Sequence, residues 1–171
     1  RAGYRTLKIA ELIACINGEL TLTQKAVVVT FDDGWLDNYM YAFPVIKKYK
    51  INATVFLITN RVENSSLNNS KFKIQNSKLL IPTHKESKVL IEKGEDWKVV
   101  LNWELIKEMS NSGMIEFYSH TKSHAKCNSL PEKELMEELK ESREIIEKRL
   151  DSPCPYFCWP YGKYNGLAVN V

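Results

Sequence analysis

The chain predicts an α/β fold with a mostly parallel sheet, and three observations carry that prediction. Strand-like runs alternate with helical stretches along its 171 residues. The two clearest runs, at 26–31 and 53–59, are apolar without polar alternation, the pattern of strands covered on both faces. No internal repeat interrupts this order, and the length suits a single domain over 1–171.

The elements follow in chain order. Leu7, Ala10, Ile13 and Ala14 have helical spacing within 6–17, and Gly18 follows as a C-cap. Ala-Val-Val-Val-Thr-Phe at 26–31 reads as a buried strand that turns at Asp32-Asp33-Gly34. A helical stretch over 36–49 contains Pro44, which predicts a kink or a late start. The second buried strand covers 53–59. Between 62 and 98 the chain is rich in Asn and Ser without sustained period and reads as a surface insertion, partly irregular. Its short apolar pieces at 79–81 and 89–91 suggest a surface hairpin, and its N-x-S sequons at Asn64 and Asn68 follow from composition. Asn102 caps a helix through Trp103, Leu105, Ile106 and Met109 that Gly113 ends. A strand at 114–118 leads into Ser119-His120-Thr121-Lys122-Ser123-His124. Ser129-x-x-Glu132, with Pro131 in the first turn, predicts a capping box opening a long helix to Leu150. That helix buries Leu135, Leu139, Ile146 and Leu150, and 156–159 is a last short strand.

Composition narrows the function classes. The chain is 44% hydrophobic and 26% charged, which places it among globular rather than disordered chains. No apolar run approaches the roughly 20 residues of a membrane helix. A net charge of +3, dispersed along the chain, gives no reason to propose nucleic acid as a partner. Cys15, Cys127, Cys154 and Cys158 form no C-x-x-C pair and are expected to be free thiols. The chain opens at Arg1 without a leader and stops at Val171 just after a turn, so it is expected to be a C-terminally truncated fragment.

Three segments carry chemistry. Thr30-Phe31-Asp32-Asp33-Gly34 puts two carboxylates at the C-terminal end of a strand, where α/β folds place their sites. Adjacent side chains on a strand point to opposite faces, so the pair does not flank one glycosidic bond. One could hold a metal while the other acts as a base; taken alone, the segment reads equally as an Asp-Gly turn. A phosphatase of the D-x-D-G-T type is excluded by spacing, since Phe31 precedes the pair and Trp35 lies two residues after Asp33. His120-x-x-x-His124 is the second segment. In a helical turn both imidazoles share a face, yet Thr121 stands where H-E-x-x-H needs Glu. Alone the pair reads as two polar loop residues; at the same rim as Asp32 and Asp33 it reads as a hydrolytic metal site with open positions. The third, Phe157-Cys158-Trp159-Pro160-Tyr161-Gly162, ends a strand in what alone reads as an ordinary aromatic-rich turn, although a backbone N–H just past it could meet an oxyanion.

In this order, Thr30-Phe31-Asp32-Asp33-Gly34, Ser119-His120-Thr121-x-x-His124 and Pro160-Tyr161-Gly162 resemble the polysaccharide deacetylase family, carbohydrate esterase family 4 or the NodB homology domain. The resemblance covers about 27–165. It is nearest to the branch acting on poly-N-acetylglucosamine, through Asp33-Gly34-x-x-Asp37-Asn38-Tyr39, Phe43-Pro44 and the aromatic before Pro160. It implies a distorted (β/α) barrel, incomplete at the C-terminus, with a groove at the strand ends. It implies Asp33, His120 and His124 as ligands of one divalent metal, Zn²⁺ by preference, Asp32 as general base and the Tyr161 backbone N–H as oxyanion donor. The reaction implied is hydrolysis of N-acetyl groups on an N-acetylglucosamine polysaccharide at the cell surface or outside the cell. Two departures are visible: Cys158 stands where many members have Arg, and the later motif with the catalytic acid is expected beyond Val171. His84 lies in the insertion and is not assigned that role. A glycan-binding protein without turnover and an O-acetyl esterase on xylan or peptidoglycan stay open as alternatives. Trp35, Tyr39, Trp103 and Trp159 are candidates for sugar stacking, with core packing expected for at least half.

Overall fold

The centre of the fold is a strand with no exposed residue. The computed structural model of the chain describes residues 3–67 and 82–170. In it β4 (Ala53–Leu57) is buried at all five positions and lies between β3 (Thr30–Phe31) and β5 (Ile115–Ser119), parallel to both. Thr30 pairs with Thr54, and Leu57 pairs with Ser119. A parallel bridge from Ser119 to Phe157 extends the order by one more segment. Because all four run the same way in matched register, the residues after Phe31, Leu57, Ser119 and Phe157 emerge on one rim. That rim carries the three chemical segments.

A two-stranded parallel sheet, β1 (Arg5–Leu7) with β2 (Ala26–Val28), stands before it, with α1 (Ile9–Ile16) between. The run at 26–31 is therefore two strands with different partners, split at Val29. It is only half-buried, contrary to the expectation of cover on both faces. Residues 5–7 extend rather than join the helix; α1 starts at Ile9 behind Lys8, whose backbone N–H donates to Glu11 at 2.9 Å.

Pro44 acts as expected. A π-helical turn (Asn38–Ala42) runs into α2 (Phe43–Tyr49), with Pro44 in the first turn, where its missing N–H costs nothing. Lys50 closes α2 in the left-handed conformation at φ 52°. After β4 the chain enters α3 (Thr59–Leu67), so 62–67 is helix rather than irregular insertion. The segment 89–91 is not a hairpin strand. It lies in α4 (His84–Glu92), nucleated by a capping box in which Thr83 Oγ1 accepts the Glu86 N–H and Glu86 accepts the Thr83 N–H. The piece at 79–81 falls outside the described residues.

A 3₁₀ turn (Asp96–Lys98) precedes α5 (Trp103–Asn111), where Asn102 Oδ1 accepts the Leu105 N–H at 2.9 Å. Leu105, Ile106 and Met109 on α5 are buried, and full burial of such a side chain contributes roughly 1.5–3 kcal/mol. A second 3₁₀ turn (Cys127–Ser129) leads to α6 (Glu132–Leu150). The capping box expected there does not form: Ser129 Oγ donates to Lys126 O, and Pro131, extended at ψ 151°, is the capping residue. Leu135 and Ile146 are buried, while Leu139 and Leu150 pack at the margin. The segment expected as a strand at 156–159 makes a single bridge, and a 3₁₀ turn (Pro160–Gly162) and α7 (Gly166–Asn170) follow. The described strands form a two-stranded and a three-stranded parallel sheet within a mixed α/β fold.

Candidate metal centre

Backbone strain marks the rim. Six non-glycine residues among those described have positive φ; Lys50 and Asp151 are helix C-caps, and the other four are Asp33, Thr121, His124 and Tyr161. Each costs of order 1–3 kcal/mol unless the surroundings enforce it, and such residues cluster at functional sites.

Asp33 leaves β3 through this conformation. Its Oδ2 accepts the Trp35 indole N–H at 3.1 Å, while its buried Oδ1 has no hydrogen-bond partner. That orphan oxygen faces both imidazoles: His120 Nε2 lies at 3.6 Å and His124 Nε2 at 3.4 Å.

The histidine loop is not a helical turn. The His120 N–H donates to Leu57 O at 2.8 Å, continuing the sheet ladder by one residue. Buried Ser119 Oγ accepts the Thr121 N–H and pairs with Ser142 on α6. Thr121 Oγ1 accepts the His124 N–H, and Glu138 on α6 accepts from Ser123 twice. A sharp loop held by its own hydroxyls and one glutamate thus brings two histidine rings to 4.9 Å between centroids.

The tautomers suit a cation. His120 Nδ1 lies 2.9 Å from the Cys158 carbonyl, an acceptor only, so the proton belongs on Nδ1 and the Nε2 lone pair faces Asp33. Burial is the largest influence on His124 and lowers its pKa from the usual value, outweighing the attraction of Asp33, so the neutral ligating form is favoured. The three donor atoms lie within 4.8 Å of one another. Bonds of about 2.0–2.1 Å in a tetrahedron separate ligands by about 3.3–3.4 Å, close to the two separations from Asp33 Oδ1. Asp33, His120 and His124 could therefore hold a divalent ion, which would partner the Oδ1 left unpaired among the described residues.

Asp32 is exposed at the end of β3, and its charge reaches the site: it weakly opposes the burial that lowers the His124 pKa and adds to the rise at Cys158. Cys158 is pushed up to about 11, first by burial and then by Asp32 and Asp33, so the thiol stays neutral. Tyr161 is 61% exposed with its ring 4.6 Å from that of His124. All five residues singled out in the sequence thus meet on one rim. Sequence reasoning missed the Cys158 carbonyl and the Ser119–Ser142 pair. No residue-type pattern signals a backbone acceptor. Of the aromatics, Trp103 is core and donates to Glu63, Tyr39 donates to Glu108 and packs on Phe43, and Trp159 stacks on Tyr164; Trp35 touches the site.

Comparison with known proteins finds similar sequences and folds. Residues 19–171 match the sequence model of a family described as Polysaccharide deacetylase. YxkH of Bacillus subtilis (strain 168) is 28% identical over 169 residues, covering 99% of this chain and 48% of its own length. The poly-beta-1,6-N-acetyl-D-glucosamine N-deacetylase of Staphylococcus aureus (strain MSSA476) is 26% identical over 156 residues, covering 86% of this chain and 44% of its own. Among solved structures, the Streptococcus pyogenes deacetylase PplD in complex with acetate superposes with a TM-score of 0.73 at 25% identity, covering 98% of this chain and 60% of that one. The chain spans about half the length of these curated relatives.

Proposed function

Because the chain belongs to the polysaccharide deacetylase family, we propose that it removes N-acetyl groups from an N-acetylglucosamine polysaccharide as acetate, using one divalent ion, Zn²⁺ by preference, at Asp33, His120 and His124. The observation that carries this reading is the buried, unpaired Asp33 Oδ1 between two imidazoles at 3.4 and 3.6 Å. A divalent ion held there would supply a Lewis acid for an acetyl carbonyl and a lowered pKa for water, so that amide hydrolysis could proceed near neutral pH.

The chain's own groups divide the remaining work. Asp32, exposed on the rim, accepts a proton from the attacking water. The Tyr161 backbone N–H donates to the oxygen that becomes negative as the carbonyl carbon turns tetrahedral. Its left-handed conformation supports the role, because an enforced turn orients the N–H before the substrate arrives. The Cys158 carbonyl holds His120 in the ligating tautomer. Collapse of the tetrahedral carbon breaks the C–N bond, and the proton that Asp32 took from the water passes to the leaving amine.

The choice of N-acetylglucosamine polymer rests on the Staphylococcus aureus relative, named for that substrate, and on the poly-N-acetylglucosamine-like motifs. A polymeric substrate of this kind places the action at the cell surface or outside the cell. No helix among the described residues is long and apolar enough to cross a membrane. We take 1–171 as part of one catalytic domain, with the insertion read at 62–98 beginning inside α3 and ending before α5.

Acetate release from poly-β-1,6-N-acetylglucosamine oligomers, with zinc and after chelation, tests the proposal. Zinc-dependent acetate supports it. Glycan binding without acetate would shift the reading to a binding protein, and acetate only from O-acetylated xylan or peptidoglycan to an esterase.

A further inference from the structure

The two oxygens of Asp33 have different surroundings, and one side chain makes the difference. Oδ2 takes the Trp35 indole N–H at 3.1 Å, and Oδ1 is left facing the imidazoles. A carboxylate turns readily about its last torsion, which is broad and nearly two-fold. Without a donor on Oδ2, that torsion is free to swing the ligating oxygen away from His120 and His124.

Trp35 is itself held from three directions. Its backbone bridges antiparallel to Val100, with Leu36 N–H donating to Val99 O at 2.8 Å and Leu101 N–H to Gly34 O at 3.0 Å. The Arg61 guanidinium lies over its ring at 5.9 Å, and the His84 ring meets it edge-on at 5.3 Å. Arg61 in turn acts on buried Asp96, whose pKa burial raises and Arg61 lowers in part. His84 opens α4 behind the Thr83 capping box, so the part of the insertion that the sequence set aside reaches the site through this indole.

We propose that Trp35 is a positioning residue that aims the Asp33 carboxylate at the metal site, and that His84 and Arg61 brace it. This rests on the metal reading above, and its test separates the two. Groups that orient a metal ligand typically alter metal affinity by about 10–100-fold. Trp35→Phe keeps an aromatic ring beside Arg61 and His84, though a smaller one, and removes the N–H donor. Zinc affinity is measured by competition with a chromophoric chelator, and the Co²⁺ absorption spectrum reports the ligand arrangement. Thermal unfolding of the metal-free chain provides the structural control.

The expected result is one zinc site in the unsubstituted chain, weakened about 10–100-fold in W35F with an altered Co²⁺ spectrum. The metal-free midpoint should change little. Equal zinc affinity and an unchanged spectrum in W35F overturn the positioning role and leave the metal site standing. No zinc in the unsubstituted chain overturns both. If W35F fails to fold, H84A decides, because it keeps the N–H and loosens only its brace. Weaker zinc binding and a shifted Co²⁺ spectrum in H84A support the inference, and identity with the unsubstituted chain overturns it.

Discussion

Replacing Gly34 with Ala perturbs the joint between the Asp pair and the core. Gly34 has φ +71°, and a Cβ built there lies 2.8 Å from Leu57 Cδ2. Leu57 is fully buried at the end of β4 and cannot withdraw into solvent. A left-handed conformation costs an L-residue about 1–2 kcal/mol. Overfilling a packed core adds about 1–3 kcal/mol. The sum, about 2–5 kcal/mol, lowers the thermal midpoint of a chain this size by about 4–20 °C. Calorimetry on the single variant measures the total, and the G34A/L57A double variant separates its parts. Leu57→Ala alone costs about 2–5 kcal/mol. In the double variant the clash disappears, so the two effects should fall short of additivity by the overpacking share. Stability of G34A within about 0.5 kcal/mol of the parent, or strict additivity in the double variant, would refute the reasoning.

Lys50→Gly should stabilise the chain by about 1 kcal/mol in urea unfolding, since it relieves a left-handed residue at the α2 C-cap. Asn102→Ala should cost about 1–2 kcal/mol by removing the acceptor for the Leu105 N–H. Burial pushes the Cys154 thiol from 9.0 to about 11, so its thiolate fraction at pH 8 is about 100-fold below that of an unshifted thiol, and iodoacetamide labelling followed by mass spectrometry should show a correspondingly slow site. The fold holds that proton more tightly than the unfolded chain. Its contribution to stability is therefore full below pH 9 and lost as pH rises towards 11, which a series of thermal midpoints checks.

The sheet and rim were legible because their signals are local. Residues 53–57 are apolar at every position or carry a buried Thr, and they became the central strand. That Asp33, His120 and His124 share a rim was legible because each lies in the segment just after a strand, and parallel register carries strand ends to one edge. What escaped was decided by tertiary contact. The run at 26–31 divides because its halves pair with different strands, which composition does not encode. Ser129 had the right spacing for a cap, but the extended Pro131 took the capping position. His84 stands 49 residues from Trp35 across an insertion without period, and its ring contact has no trace in any motif. For the strained loop at 120–124 the sequence offered only a four-residue spacing, compatible with a helical turn or a loop, whereas its geometry comes from Ser119, Thr121 and Glu138.

Metal content tests the central claim most directly. After zinc loading and gel filtration, elemental mass spectrometry should find about one ion per chain, and almost none in Asp33→Ala, His120→Ala or His124→Ala. A folded parent chain without zinc, or variants that keep it in full, would contradict the account.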